Sequence, residues 1–239
     1  TNNIVGDMLL ASVVSGQWWQ QDGSGGIAQY NLSTSTWSTS VLPSGQVDRV
    51  TAFESSSGNT WISWGEIALE VYSSSGTKLG TWDNFEFPIR EIIEYDGLIL
   101  FATEDGVERF NETSFSWEST WTPGNGLPNN MGDWIGELWT DGTHLVVGSA
   151  TFAGWGGFQR GVVGHLDGST GTWSTFNTGQ NGVPNGYPLS MSECGSYLYI
   201  GLFNNNGGVM YMDLNTSSVN GSFTTSVLSN GRVASVACD

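Results

Sequence analysis

The residues from Gly126 to Ser149 read GLPNNMGDWIGELWTDGTHLVVGS. A similar stretch, GVPNGYPLSMSECGSYLYIGLF, follows at Gly182 to Phe203. Each opens with a Gly-x-Pro-Asn turn and continues with an apolar run, a tight Gly turn and a second apolar run. A chain that repeats such a pattern is built from structural repeats, so the repeat length is the next quantity to determine.

Short polar hairpins that precede an aromatic residue give this repeat length. They read NLSTSTW, SSGTKLGTW, NETSFSW, DGSTGTW and NTSSVNGSF, and they end at Trp37, Trp82, Trp117, Trp173 and Phe223. The intervals between these aromatic residues are 45, 35, 56 and 50 residues. The chain therefore contains five copies of one unit.

Each unit contains four short apolar or alternating runs, separated by Gly, Asn, Asp and Pro. In the fourth unit these runs are DWIGELWT, HLVVGSA, RGVVGHLD and TWSTFN. Four short strands in a unit of about 40–50 residues are typical of a propeller blade. The sequence thus predicts an all-β, five-bladed β-propeller with four-stranded antiparallel blades. A β-sandwich also has many short strands, but it would not repeat at this period.

The two ends of the chain suggest how the ring closes. The last stretch, GRVASVACD, is similar to the first strand of a blade, whereas IVGDMLLASVV near the start is similar to a second strand. We therefore expect the C-terminal strand to complete the N-terminal blade, which would leave no exposed sheet edge. The predicted single domain, 1–239, then has blades at 231–239 plus 4–45, 46–84, 85–127, 128–183 and 184–230.

The repeat resembles that of the two-component-regulator type of propeller, in which a Gly-Leu-Pro turn leads into an inner strand and an LW…DG…L…G hairpin. The segments GGIAQYNLSTSTW and DGVERFNETSFSW resemble the part of that repeat that follows. Kelch-like and other surface propellers share much of this pattern. The resemblance implies a propeller with an extracytoplasmic sensing or binding role, and it carries no catalytic residues.

Composition narrows the class of partner. The chain has 239 residues and a net charge of −17, with 23 acidic residues against 6 basic ones. Nucleic acids and anionic membranes are poor partners for so acidic a chain. No apolar run approaches the roughly 20 residues of a membrane helix. Because it begins at Thr1, we expect a mature fragment or an excised domain, monomeric or part of a larger extracellular or cell-surface protein.

The two cysteines, Cys194 and Cys238, each end a predicted innermost strand, in MSEC and SVAC. They are 44 residues apart, close to one repeat, so they take equivalent places in adjacent blades. An extracytoplasmic location would permit a disulfide between them. Two buried free thiols are the alternative.

Aromatic residues on Gly-rich loops mark the predicted ligand face. Trp18 and Trp19 lie in SGQWWQQDGSGG, and Trp155 and Phe158 lie in SATFAGWGGFQRG, between the second and third strands of their blades. Aromatic rings beside Asn, Gln and Asp suit a glycan or a peptide, and exposed rings often mark recognition surfaces. Alternatively, the rings fold back and cap the end of the propeller.

Three arginines lie near the start of innermost strands at similar positions in their repeats: Arg49, Arg90 and Arg232. They could surround one mouth of the central channel and bind an anion or a carboxylate. Ion pairs with neighbouring acidic residues, such as Asp48 and Glu91, are the alternative.

Carboxylates on inner strands or their entry loops leave a second functional class open, a carbohydrate-active hydrolase or lyase. The candidates are Asp48, Glu91, Asp133 and Glu137, and glycosidases use such pairs. No glycosidase motif surrounds them, so we count Asp133 with the ligand-binding residues and favour a non-catalytic binding domain. The two histidines form no catalytic motif, no Cys/His cluster has zinc spacing, and we expect no cofactor or metal.

Overall fold

The computed structural model describes residues 50–64, 68–83, 88–153, 157–224, 228 and 231–238, together with the strand backbone at 3–5, 8–13, 26–31 and 36–39. The chain divides into two compact units, Thr1–Ile92 and Ile93–Asp239. Each is described separately below, and β9, which begins at Ile92, is taken with the second unit.

The first unit contains two antiparallel four-stranded sheets. Sheet 1 consists of β1 (Asn3–Val5), β2 (Met8–Val13), β3 (Gly26–Asn31) and β4 (Thr36–Thr39). Sheet 2 consists of β5 (Val50–Glu54), β6 (Thr60–Trp64), β7 (Ala68–Tyr72) and β8 (Lys78–Asp83). In sheet 2, the buried Trp61 ring stacks on the ring of Trp82, with centroids 5.7 Å apart.

Two hairpins of sheet 2 use the same turn sequence, Ser-Ser-Ser-Gly, at 55–58 and 73–76. In each turn the Gly amide donates to the carbonyl of the first Ser, at 2.9 Å for Gly58 and 2.8 Å for Gly76. Both glycines have positive φ, 81° and 78°. A four-residue turn that ends in a left-handed residue reverses a strand tightly, and glycine adopts this conformation without steric cost.

The second unit contains three antiparallel four-stranded sheets. Sheet 3 consists of β9 (Ile92–Tyr95), β10 (Leu98–Ala102), β11 (Val107–Asn111) and β12 (Ser116–Trp117). A short parallel pair follows, β13 (Thr122–Pro123) and β14 (Gly126–Leu127). Sheet 4 consists of β15 (Trp134–Thr140), β16 (His144–Ala153), β17 (Gly157–Asp167) and β18 (Thr172–Asn177). Sheet 5 consists of β19 (Tyr187–Cys194), β20 (Tyr197–Phe203), β21 (Gly208–Asp213) and β22 (Ser218–Phe223).

The two Gly-x-Pro-Asn turns adopt the same local structure. Gly126 and Gly182 have φ values of 88° and 82°, and the next residue in each, Leu127 or Val183, is buried. Leu127 belongs to the core between sheets 3 and 4, and Val183 belongs to the core between sheets 4 and 5. Each turn thus inserts one apolar side chain beside the sheet that it precedes, which explains why the chain repeats the phrase.

The five polar hairpins of the sequence all join the third strand of a sheet to the fourth, from β3–β4 to β21–β22. The prediction of four antiparallel strands in each of the five sequence repeats is therefore confirmed for the part of the chain that the structure describes. The all-β class is confirmed with it.

The predicted closure of the first blade is wrong in its strand pairing. Sheet 1 takes all four of its strands from residues 3–39, because the run IVGDMLLASV forms two strands rather than one. Val5 is in register with Met8, so the chain reverses between them. Gly and Asp are residue types that favour turns, and the Gly6-Asp7 pair was not used as a hairpin signal in the prediction.

Residues 231–238, the C-terminal segment, form no strand and lie beside sheet 5 instead. A Cβ at Gly201 of β20 would meet Val233 Cγ1 at 3.0 Å, and a Cβ at Gly148 of β16 would meet Pro188 Cβ at 2.5 Å. The backbone O atom of Gly231 lies next to Gly207. In the equivalent position on sheet 4, the backbone O atom of Gly186 lies next to Gly161. The C-terminal segment thus takes the place beside sheet 5 that β19 takes beside sheet 4.

The hairpin of sheet 4 corrects a second expectation. The stretch 149–161 was predicted to be a long loop, but β16 extends to Ala153 and β17 begins at Gly157. Phe152 is in register with Phe158, next to a β-bulge between Thr151 and Phe152. Cross-strand aromatic pairs stabilise a hairpin, which accounts for strand structure where the Gly content of the sequence suggested a loop.

Candidate ligand-binding surface

Five aromatic side chains form a continuous cluster where β15, β16, β17, β19 and β20 begin or end. We call this cluster the aromatic surface, and it consists of Trp134, Phe152, Phe158, Tyr187 and Phe203. All five residues are of intermediate exposure. Large side chains that remain accessible as a group are uncommon on protein surfaces away from sites of recognition.

Tyr187 lies at the centre of the aromatic surface. Its ring centroid is 5.4 Å from that of Trp134, 5.6 Å from that of Phe152, and 5.5 Å from those of Phe158 and Phe203. Tyr187 begins β19 and is in register with Phe203 at the end of β20. The cluster therefore joins sheet 4 to sheet 5, and the strand pairing within each sheet fixes the positions of its residues.

Most ring pairs in the cluster meet at steep angles. The interplanar angle is 72° between Trp134 and Phe152 and 80° between Trp134 and Tyr187. Edge-to-face packing of this kind is favourable by about 0.5–1.5 kcal/mol per pair beyond area burial. It produces an uneven apolar surface rather than one flat aromatic platform.

Polar groups border the aromatic surface. The Trp134 Nε1 group donates to Glu104 Oε1 at 3.3 Å. On the opposite side, the Arg232 guanidinium lies over the Phe203 ring, 5.7 Å from its centroid. Its Nε and Nη2 groups donate to Asn205 Oδ1 at 2.9 and 2.5 Å. An apolar centre with a polar rim is the usual composition of a protein-binding site.

Of the residues predicted to bind ligand, the structure brings two to the aromatic surface and a third beside it. Phe158 belongs to the surface and Arg232 to its rim, while the exposed Asp133 precedes Trp134 in the chain. Arg90 is half-buried in the first unit. Four residues fall outside the described residues: Trp18, Trp19, Arg49 and Trp155.

Trp134, Tyr187 and Phe203 were not predicted as ligand-binding residues, because in the sequence they look like ordinary strand residues. A signal was available, since Trp134 and Tyr187 each follow a Gly-x-Pro-Asn turn and begin the innermost strand of their sheet. Equivalent positions in adjacent repeats lie at the same end of neighbouring sheets. Aromatic residues at both positions therefore predict a shared surface.

Of the four carboxylates considered for catalysis, the structure describes one in the first unit and two in the second. Glu91 is buried in the first unit, where its Oε1 accepts from the Ile92 amide at 3.3 Å. In the second unit, Asp133 is exposed and Glu137 is half-buried on β15. Asp48 lies outside the described residues. Within those residues, no three His, Cys, Asp or Glu side chains are arranged to hold a metal ion.

One buried carboxylate in sheet 2 is fully satisfied and therefore structural. Glu70 Oε2 accepts from Trp64 Nε1 at 2.8 Å and from Tyr72 OH at 2.7 Å, while Glu70 Oε1 is paired with Lys78 Nζ. Burial raises the pKa of Glu70, but the hydrogen bonds from Lys78, Tyr72 and Trp64 outweigh it and leave the pKa below its ordinary value. Such a satisfied carboxylate stabilises sheet 2.

A solved structure supports the propeller fold. A chain of the "Crystal Structure of Mitotic Checkpoint Complex", a WD40-type propeller, is similar over 90% of this chain, with a TM-score of 0.62 and 14% sequence identity. The present chain spans 60% of the length of that one. It is one of 929 solved chains with a significant match, so the fold does not select a function.

Sequence comparisons add no family. No protein-family model matches the chain, and no curated protein matches it. The resemblance to the two-component-regulator type of repeat therefore stays an interpretation of its motifs. The part of the chain that the structure describes contains no helix long and apolar enough to cross a membrane.

Proposed function

We propose that this chain is a non-catalytic, five-bladed propeller domain that binds a protein or peptide partner through the aromatic surface. The observation that carries the proposal is the continuity of five partly exposed aromatic residues across sheets 4 and 5. Binding energy at protein interfaces concentrates in a few aromatic and Arg residues. The cluster of Trp134, Tyr187 and their neighbours, with Arg232 at its rim, has this composition.

The ring geometry favours a peptide over a glycan. Sugar rings stack on the open face of an aromatic ring, whereas the steep angles of 72° and 80° around Trp134 turn ring edges toward ring faces. An uneven apolar surface accommodates the branched and aromatic side chains of a peptide better than the flat face of a sugar. The net charge of −17 adds a preference for a basic or neutral partner over an acidic one.

An extracytoplasmic location is part of the proposal. It is supported by the Cys194–Cys238 geometry, in which the two Cα atoms lie 5.6 Å apart. Structural disulfides form and persist outside the reducing cytoplasm. Expression of the chain in oxidising and reducing compartments, followed by measurement of its folded yield, tests this part of the proposal separately.

Panning a random peptide library against the whole chain tests the binding function. We expect peptides with apolar anchors and net positive charge, and we expect Phe158→Ser to weaken their binding at least tenfold. Phe223→Ser is the matched control, because Phe223 is 40% exposed on the outermost strand of sheet 5, away from the aromatic surface. Thermal unfolding of both variants separates lost binding from lost folding.

Three results would overturn the proposal. Equal loss of peptide binding in Phe158→Ser and Phe223→Ser would show that the aromatic surface is not the site. Binding to neutral glycans on an array, without any selected peptide, would replace the peptide partner by a sugar. Release of reducing sugar from a polysaccharide panel, abolished by Glu137→Gln, would replace the binding domain by a hydrolase.

A further inference from the structure

The only two histidines of the chain stack on each other between sheets 4 and 5. Their ring centroids are 5.2 Å apart and their planes meet at 26°. His165 of β17 is in register with Val146 of β16, and Val146 packs into the core that sheet 4 shares with sheet 5. His144, two residues before Val146, is on the same face of β16.

His165 is fully buried, and neither of its ring nitrogens has a hydrogen-bond partner among the described residues. A buried imidazole in this state can remain neutral at modest cost, whereas a buried imidazolium without a partner is strongly unfavourable. His144 differs, because its Nδ1 lies 2.8 Å from Asp141 Oδ2. A charge on His144 is therefore compensated, and a charge on His165 is not.

Among the described residues, the charged groups that face the histidine pair are carboxylates. On sheet 4 they are Asp141, Asp167 at the end of β17, and Glu137 on β15, whose register partner Gly148 is on the same face as Val146. On sheet 5 the corresponding group is Glu193, which is in register with Leu198 on the face that packs against sheet 4. Glu193 is exposed, and the residues of sheet 5 that pack into the core shared with sheet 4 are apolar.

Burial lowers the pKa of His165 below its ordinary value, and the neighbouring His144 lowers it further, while Asp167 and Asp141 act in the opposite direction. The unfolded chain therefore binds a proton at a higher pH than the folded chain does. The sign follows from linkage: stability is complete above the unfolded pKa of about 6.5, and it falls as the pH drops from there toward the folded pKa.

We propose that the stacked pair makes the packing of sheets 4 and 5 an acid-sensitive seam. As the pH falls below about 6.5, protonation of His165 becomes favourable in the unfolded chain, but between the packed sheets it would place an uncompensated charge next to His144. The favourable response is to open the seam and hydrate the imidazolium. The aromatic surface is formed by the same two sheets, so the seam offers a means of controlling its integrity by pH.

The test is urea unfolding of the full chain at pH 7.5 and pH 5.5. Histidine is the only side chain that ordinarily titrates in this interval, and the chain has two of them. We expect the unfolding equilibrium constant of the wild type to rise by up to about tenfold between pH 7.5 and pH 5.5, because an unfolded histidine with a pKa of about 6.5 binds a proton over the last pH unit while the buried His165 does not. His165→Leu should remove most of this rise, whereas His144→Gln should retain the part that comes from burial of His165.

A second measurement keeps the proposal falsifiable if His165→Leu does not fold. In an imidazole NMR titration of the wild type, one histidine should protonate only at acidic pH, with exchange broadening of amides in β17 and β20. The proposal is overturned if both imidazoles titrate like exposed histidines, or if the unfolding constant does not change between the two pH values. It is also overturned if His165→Leu responds to pH as strongly as the wild type.

Discussion

The Cα atoms of Cys194 and Cys238 lie 5.6 Å apart, which is close to the commonest separation for a disulfide. The register of the C-terminal segment explains this closeness. Val233 takes the place beside sheet 5 that Pro188 takes beside sheet 4, and β19 contains one bulged residue between Pro188 and Ser190. When the bulged residue is left out of the count, Cys238 lies as far along the C-terminal segment from Val233 as Cys194 lies along β19 from Pro188.

We expect a disulfide between these cysteines in the oxidised protein. Thiol titration of the denatured, unreduced chain should find no free thiol, and two should appear after reduction. The bridge closes a separation of 44 residues, for which chain entropy gives a stabilisation of about 4 kcal/mol. Two reactive thiols before reduction would contradict the bridge, and unchanged urea stability of the Cys194→Ser, Cys238→Ser double variant would contradict its contribution.

Deletion of residues 231–239 should destabilise the second unit by more than the loss of the bridge alone. The C-terminal segment covers Gly201, and its Val233 amide donates to the Leu202 carbonyl at 3.4 Å. Its Cys238 amide also donates to Ser192 Oγ at 3.1 Å. We expect the melting temperature to fall by more than the roughly 8–16 °C that loss of the bridge alone would cause, since a domain of this size loses about 2–4 °C per kcal/mol. The double serine variant is the control, and equal melting of the two would show that the segment contributes only its cysteine.

Glu70 should make the first unit sensitive to acid below about pH 4.5. Because its pKa is lowered in the folded chain, Glu70 contributes stability above the unfolded pKa and loses it as the pH falls through the folded pKa. Glu70→Gln should weaken this dependence, as seen by urea unfolding at pH 7 and pH 3.5. Glu118→Gln, at an exposed position, should leave it unchanged.

Glu70→Leu should cost more than Glu70→Gln at neutral pH. It removes the acceptor of the Trp64 and Tyr72 donors, and a buried donor without a partner costs about 1–3 kcal/mol. The Lys78 side chain is 46% exposed, so its ammonium group can return to water. If the leucine variant is as stable as the glutamine variant, the hydrogen bonds to Trp64 and Tyr72 do not contribute to stability.

The sequence was sufficient to predict the repeat because its turns are chemically explicit. The polar hairpins stand at the same place in each of the five repeats, and the two Gly-x-Pro-Asn turns precede the innermost strands of sheets 4 and 5. It was not sufficient where the signal was short or depended on packing. The apolar run IVGDMLLASV contains two paired strands rather than one, and Phe152 and Phe158 are paired in strands where a loop was expected.

The aromatic surface shows the same limit. Phe158 was predicted as a ligand-binding residue from its Gly-rich surroundings, but Tyr187 looked like a strand residue. Its importance comes from the contact between sheets 4 and 5, where four other rings meet it. Such a contact depends on which strand ends are neighbours in space, and hydrophobic periodicity within one strand does not report this.

The last prediction concerns the two glycines at which the next strand or segment packs against a sheet. Gly148→Ala should destabilise the chain by about 1–3 kcal/mol, because its Cβ would lie 2.5 Å from Pro188 Cβ within the core. Gly201→Ala should also destabilise it, since a Cβ there would meet Ser190 Oγ at 2.6 Å and Val233 Cγ1 at 3.0 Å.

The two sites should differ in how far a second change relieves the first. Val233→Ala removes the Cγ1 atom that crowds Gly201, so the double variant Gly201→Ala, Val233→Ala should lose less stability than the sum of the single variants. Residues in contact show coupling energies of about 0.5–3 kcal/mol, measured here from four urea unfolding curves. The combination of Gly148→Ala with Val233→Ala is the control and should be additive. Additivity in both pairs would mean that the C-terminal segment does not pack on Gly201 in solution.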